Sequence, residues 1–412
     1  MTGVLDPKRQ LLGGGPLLSS AFPDLATHQR RLGPVPWQGG PARLIGAVET
    51  SGLTGRGGAA FPTWRKLATV ILGDRPVVVA NAAEGEPASA KDRTLLLHGP
   101  HLVLDGLQLA AEAVGAATAY LYVAAGPAAD SARRAIAERA ERAGWDRLPV
   151  TVVVAPDTFI AGEESAVVAA IEGRPARPKD RTVLVSERGV RGRPTLVQNV
   201  ETLAQLALLA RHGPAWFRQR GTHTEPGTFL ATVAGSVAAP GVYEVPHGIP
   251  FGSLVGRAGG PVGTPSAVLV GGYHGRWLPF AAELPISAPG AGVVAVLSTA
   301  DCGLVETARI AGYLAGQSAR QCGPCLNGLP RLAETLRRLA HGDGRPELVA
   351  RVHRLTALTD GRGACRHPDG TVRMVRSALH VFAEEVDRHL AGRCGAVPCG
   401  AVPCGAAREG IR

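Results

Sequence analysis

The chain has 412 residues, 45% of them hydrophobic, enough to bury the cores of two or three domains. Its net charge is +10, yet only four of its 44 basic residues are lysines, and no zinc finger, RNA-recognition signature or concentrated basic stripe is present. That excludes an obvious nucleic-acid reader and leaves an acidic protein partner as the sharper reading of the charge.

Residues 1–45 are rich in Pro and Gly without a sustained period, and read as an extension wrapped over the surface. No apolar run reaches the length of a spanning helix, and the N-terminus, with no cleavage-site pattern, reads as a cytoplasmic start. From 46 to 220 the pattern alternates. A β-type run at 75–81 is followed by a helical period over 101–115, a buried strand over 119–125, a helix over 130–144 and a strand over 148–156. Strands alternating with helices predict an α/β domain with a parallel sheet, whose ligands bind beyond the carboxyl ends of the strands. Between 225 and 300 short β runs separated by Gly and Pro predict a small α+β domain. Residues 301–392 read as helical, and the direct repeat CGAVPCGAVPCG sits in a low-complexity tail, 393–412.

Four loops carry polar or flexible residues where such a sheet would bind a ligand. Gly55, Gly57 and Gly58 precede a Pro and a helix-like segment, which suits close approach of backbone N–H groups to a phosphate, although most Gly-rich turns are only turns. The loop after the 75–81 run holds Asn81, Glu84 and Glu86, otherwise a solvated acidic loop. Gly162, Glu163 and Glu164 open a helix whose dipole acidic residues also stabilise without any ligand. Gln198 and Asn199 stand before another helix.

Taken in order, these motifs resemble the family of complex I 51 kDa flavoprotein subunits, the NADH-binding, FMN and iron–sulfur component of NADH:quinone oxidoreductase. The resemblance rests on Phe61-Pro62-Thr63 after the glycines, Glu86-Pro87 with Lys91-Asp92-Arg93, Gly162-Glu163-Glu164, and Asn199 to Thr202, and runs from about 50 to 390. It implies an FMN-binding parallel-sheet domain, a soluble-ligand-binding β-grasp-like small domain and a C-terminal helical iron–sulfur domain. It places Gly55, Arg56, Gly57, Gly58, Lys66, Asn81, Glu84, Gly162, Glu163, Glu164 and Asn199 around FMN. Glu86 and Phe61 fall on the side where nicotinamide stacks. Electrons would then pass from NADH, or another donor, through FMN to an iron–sulfur cluster and a protein acceptor, such as an acidic ferredoxin or a thioredoxin-like iron–sulfur subunit. The alternative is a degenerate, non-catalytic member acting as a binding or assembly module.

All seven cysteines lie after residue 300, which in a cytosolic chain points to metal or redox chemistry rather than disulfides. Cys322 and Cys325, two residues apart, with the distant Cys365, suit a metal or cluster. The family holds a 4Fe–4S cluster with one further cysteine, and that position is Ala319 here. Four outcomes stay open. Cys302, His367 or a tail cysteine supplies the fourth ligand; the cluster is a 3Fe–4S or site-differentiated form; zinc replaces it; or no cluster forms. The tail cysteines Cys394, Cys399 and Cys404 read as products of duplication, in a Gly-rich setting that lets one reach back. The nicotinamide side also departs from the family. Ala83 replaces an Asp, Gln198 replaces an Asn, and the family's Lys-Pro-Pro-Phe-Pro is Arg181-Thr182-Val183-Leu184-Val185, so Leu184 stands where a stacking aromatic is expected. Weak NADH oxidation is therefore expected.

Overall fold

The computed structural model describes residues 15–180 and 183–394; Arg181, Thr182, Cys399 and Cys404 lie outside the described residues. Four strands, β1 (Val77–Ala82), β2 (Thr118–Ala124), β3 (Val150–Ala155) and β4 (Thr195–Asn199), form a parallel sheet in the order β3-β2-β1-β4. The run Val77, Val78, Val79, Ala80 is buried throughout, as expected of a parallel strand covered on both faces. Helices Pro100–Val114, Pro127–Ala140 and Val200–Phe217 supply much of that cover.

The chain runs outward from β1 to β2 and β3, then returns to place β4 on the other side of β1. Strand order therefore reverses between β1 and β4. Such a switch point opens a crevice at the carboxyl ends of the two strands, and there Asn81 and Asn199 lie in register. Sequence reading placed Gln198 and Asn199 in the lead-in to a helix and did not predict β4. The strand is five residues long, ends in two amides and follows Pro194, so it carries little β pattern of its own.

The second sheet contains β5 (Thr228–Gly235), β6 (Gly241–Pro246), β7 (Pro265–Val270), β8 (Arg276–Pro279) and β9 (Val293–Ser298), ordered β6-β5-β9-β7-β8. Its first and last strands, β5 and β9, pair in parallel at the centre, and the other pairings are antiparallel. With helix Phe251–Arg257 packed on it, this is the expected small β-grasp-like unit.

Five helices follow: Gly303–Gly316, Leu329–Ala340, Glu347–Thr359, His367–Val381 and Ala383–Leu390. Leu329–Ala340 buries Leu329, Leu332, Leu336 and Leu339 on one stripe, each worth about 1.5–3 kcal/mol when fully buried. Trp277 joins the small sheet to this bundle. Its ring meets Phe382 at 5.1 Å and its backbone N–H donates to Ser377 Oγ at 2.9 Å.

The N-terminal segment does more than wrap the surface. It forms helices at Pro16–Ser19 and Leu25–Leu32, buries Leu17, Leu18 and Leu25, and enters helix Pro41–Ser51, which runs through residue 45. The backbone N–H groups of Leu17 and Leu18 donate to the buried Glu244 carboxylate on β6, at 3.0 and 2.8 Å. That carboxylate also accepts the Thr228 hydroxyl at 2.6 Å. Among the described residues no helix is long and apolar enough to cross a membrane.

Candidate functional site

The crevice is built by loops leaving β1, β3 and β4, and by the glycine loop in front of them. Asn81 ends β1 by donating its amide to the Gly162 carbonyl at 2.9 Å and accepting the Ala83 N–H at 3.1 Å. This ties the β1 loop to the β3 loop at a spacing only glycine allows, since a Cβ on Gly162 would lie 2.8 Å from the Ala83 carbonyl oxygen. Glu163 then caps helix Glu164–Ile171 through the N–H groups of Ser165 and Ala166. Glu164 reaches across to Lys66 on helix Thr63–Val70, and Lys66 also donates to the Val197 carbonyl of β4 at 3.3 Å.

On β4, Asn199 caps the helix Val200–Phe217 by accepting the Glu201 N–H at 3.0 Å. Its amide donates to Asp92 at 2.7 Å, and its oxygen accepts Lys91 Nζ at 3.1 Å. Lys91 is buried between Asp92 and Glu201, at 2.7 and 3.0 Å. Burial disfavours its charge, but these carboxylates outweigh that and raise its pKa. Lys91, Asp92 and Glu201 had served only as motif letters in the sequence; the structure makes them the buried support of Asn199.

Glu84 faces inward. Its carboxylate accepts Ser89 Oγ and the N–H groups of Asp92 and Arg93, so it serves as the N-terminal cap of helix Lys91–His98. Burial and the neighbouring Asp92 raise its pKa. Glu86 accepts the Tyr273 N–H at 2.8 Å from the turn after β7, and burial lifts its pKa to about 7. Gly272 makes room for this contact: a Cβ there would sit 2.4 Å from Glu86 Oε2. Sequence reading gave Tyr273 no role; the Gly-Gly pair after an apolar run was the one local signal for a tight turn.

The glycine loop closes the front. The Gly55 N–H donates to the Phe61 carbonyl, and Gly58 adopts φ +102. A Cβ on Gly57 would reach Asn199 Cβ at 3.5 Å, so the loop runs beside β4's end. Arg56 points inward, bonding Thr54 Oγ1 at 2.9 Å and the Thr228 carbonyl at 3.1 Å, and its own N–H is held by Thr202 Oγ1. Its side chain fixes the loop rather than facing the crevice. Phe61 is 45% exposed and Leu184 57% exposed.

The thiols gather elsewhere. Cys322 stands just before the π turn Pro324–Gly328, Cys325 lies within it, and Cys365 precedes helix His367–Val381. Cys325 and Cys365 are buried and Cys322 is half-buried. Burial, a hydrogen bond to Cys322 and the nearby Cys365 lift the Cys325 thiol to about 12. None of the described stand-ins for Ala319 joins them, Cys394 lying beside Cys302 and His389 instead. His367 uses one nitrogen on the Leu314 carbonyl at 2.8 Å and the other on His274 at 3.1 Å, while Cys302 contacts Glu385 and His389. The two centres meet through Phe159, in the turn just before Gly162, whose ring packs on His274, Tyr313 and His367.

Both donor sets fit the groups that the resemblance implies. The crevice pairs glycine-lined backbone, where a Cβ on Gly162 would lie 2.8 Å from the Ala83 carbonyl oxygen, with two helix N-termini. The three thiols, close enough to influence one another, suit an iron–sulfur cluster.

The second F-type NADH-quinone oxidoreductase subunit of Rhizobium meliloti (strain 1021) is 33% identical over 381 residues, spanning 86% of this chain and 90% of that one. The chain belongs to the family of F-type NADH-quinone oxidoreductase subunits. The Streptomyces coelicolor F-type subunit is 31% identical over 383 residues, covering 86% of this chain and 84% of its own. Three family models match in chain order. They are the Nuo51 FMN-binding domain over 48–208, the SLBB domain over 230–272 and the NADH-ubiquinone oxidoreductase-F iron–sulfur binding region over 306–389. Among solved structures, a chain of the NAD+-reducing NiFe hydrogenase in its H2-reduced state superposes with a TM-score of 0.84 at 30% identity. The match covers 92% of this chain and 68% of that one. The family thus joins the crevice, the small sheet and the thiol-bearing helices in a single electron-transfer fold.

Proposed function

We propose that this protein is an NADH dehydrogenase-like flavoprotein oxidoreductase, passing electrons from NADH through FMN to an iron–sulfur cluster and on to a protein acceptor. The observation that carries the reading is the convergence of Asn81, Gly162 and Asn199 at the β1/β4 switch point, within a chain of the F-type family. FMN would lie in this crevice against the glycine loop, Lys66, Asn81 and Asn199; flavins suit the task because they exchange electrons in pairs or singly. Glu86 and Phe61 would face the nicotinamide side. With its carboxyl near pH 7, Glu86 can take up or give up a proton there without a large energetic cost. Cys322, Cys325 and Cys365 would hold the cluster. The contact of Phe159 with His367, two residues beyond Cys365, gives the two centres a packed connection. In this division 46–220 takes FMN, 225–300 is the β-grasp unit and 301–392 carries the cluster.

The relatives are by name subunits of an NADH-quinone oxidoreductase, so a protein partner is part of the reading. The net charge of +10 favours an acidic one, of the ferredoxin or thioredoxin-like iron–sulfur kind. A non-catalytic binding module gains no support from these relatives.

The test is anaerobic purification, release of flavin by denaturation, and NADH-dependent reduction of ferricyanide. Equimolar FMN with NADH-driven reduction is the expected result. Protein that binds no flavin after reconstitution would sink the proposal.

A further inference from the structure

A second cysteine group sits on the helical domain and shares no residue with the Cys322, Cys325 and Cys365 centre. Cys302 caps helix Gly303–Gly316, its Sγ accepting the Val305 N–H at 3.5 Å. His389 lies one turn after Glu385 on helix Ala383–Leu390, so both project from the same face. The helix then stops at Gly392, which has φ +70, with the Gly392 N–H on the His389 carbonyl and the Arg393 N–H on the Arg388 carbonyl. This is a Schellman-type ending, and it turns the chain back so that Cys394 meets the helix it has just left.

The outcome is compact. One sulfur from Cys302, one from Cys394 and an imidazole nitrogen of His389 all lie within 4.8 Å of one another. Cys302 Sγ is 3.3 Å from His389 Nε2 and 3.2 Å from Glu385 Oε2, and Glu385 Oε2 is steadied by the Leu304 N–H at 3.2 Å. The imidazole also hydrogen-bonds the backbone at Ala340, the kind of outer contact that orients a metal-binding histidine. His389 is buried and the two cysteines are half-buried.

Two thiols and an imidazole, brought together from two distant stretches of chain, supply three of the four donors of a tetrahedral zinc site. Sulfur ligands disfavour magnesium and calcium, which take oxygen. Without a cation the arrangement is unfavourable to thiolates: burial and the neighbouring Glu385 push the Cys302 thiol well above its usual range. A divalent ion reverses that balance, and its binding releases the two thiol protons.

We propose that Cys302, His389 and Cys394 bind one zinc ion, with one further, lighter ligand completing the tetrahedron. The ion clamps the first and last helices of the domain together and fixes the start of the cysteine-repeat tail.

The test uses the full chain, expressed with zinc supplied and purified anaerobically under reduction. Metal analysis should give one zinc per chain beside the iron, and zinc-edge X-ray absorption should show two sulfur and two lighter ligands. Cys394→Ser lies near the chain's end, where replacement leaves the packed core intact; it should lower bound zinc about tenfold, or ~1.4 kcal/mol in affinity, with iron and flavin retained. Cys322→Ser should lose iron and retain zinc. The proposal is overturned by wild-type protein without zinc, by zinc unaffected in Cys394→Ser, by four sulfur ligands around the zinc, or by a Cys302–Cys394 disulfide in the reduced protein.

Discussion

The crevice draws its residues from segments as far apart as Gly55 and Asn199, whereas Cys322 and Cys325 sit on one turn and need only Cys365 from a distance. The two regions also differ in how they are held. In the crevice the polar side chains bond one another. Asn81 is tied to Gly162, Lys66 to Glu164, and Asn199 to both Lys91 and Asp92. The fold arranges that site by itself. At the thiols, burial and the neighbouring sulfurs push the Cys325 thiol up and favour its neutral form. If those thiols hold the iron, as proposed, that second site would draw its holding energy from the metal, so the two should fail differently when changed.

The largest expected effect is at the thiols. Cys325→Ala should abolish iron and sulfide content while released FMN stays equimolar; loss of both together would mean the two regions are not separable. The converse change, Ala319→Cys, should return a fourth thiolate at the family's spacing and slow the bleaching of the cluster in air. An unchanged bleaching rate would show that another residue already completes it.

Next in size is the crevice. Gly162→Val forces a side chain onto the Ala83 carbonyl and should cut flavin content about tenfold, ~1.4 kcal/mol in affinity, with iron retained. Full flavin occupancy in this variant would show that the two loops can part without cost.

A subtler effect sharpens the claim that the crevice is prearranged. Glu86 titrates near 7 in the fold against 4.5 when unperturbed, because burial disfavours its charge. A raised carboxyl favours the folded state below pH 4.5, and that advantage is lost as pH climbs through about 7. The whole swing is up to about 3 kcal/mol. Glu86→Gln, which still accepts the Tyr273 N–H, should flatten this decline in melting temperature between pH 4.5 and 7.5. Parallel curves for the two proteins would refute it.

The smallest effect is on NADH. Leu184 is exposed enough for a ring to replace it without repacking. Leu184→Phe should lower KM for NADH about fivefold, the worth of about 1 kcal/mol of stacking. An unaltered KM in steady-state assays would place the nicotinamide elsewhere.

Much of this architecture could be read from the amino-acid pattern. The runs that became β1, β2 and β3 are apolar and β-branched, and the long helices carry clear periods. Asn81 and Gly162 were legible as residues following strands, Asn199 only as the lead-in to a helix, and Cys322, Cys325 and Cys365 by spacing. What stayed hidden depended on contacts with no local sign. β4 is a strand because β1 pairs with it, not because of its sequence. Glu84 looked like a ligand-facing carboxylate, yet it caps a helix that begins seven residues later. Tyr273 reaches Glu86 from 187 residues away. Cys394 read as part of a duplicated tail, and only the turn at Gly392 brings it to Cys302 and His389.

Glu244 links the far N-terminus to the glycine loop. Leu17 and Leu18 hold its carboxylate, the carboxylate holds the Thr228 hydroxyl, and the Thr228 carbonyl holds both Arg56 and Gln205. A version of the protein trimmed to begin after residue 20 would strip two backbone donors from a buried acid, a defect of about 1–3 kcal/mol for each unsatisfied group. That defect would pass along the relay to Arg56. Helix Pro16–Ser19 thereby acts as a keystone for the loop that would cradle the flavin phosphate, and shortened or N-terminally fused versions should be judged first by the flavin they keep.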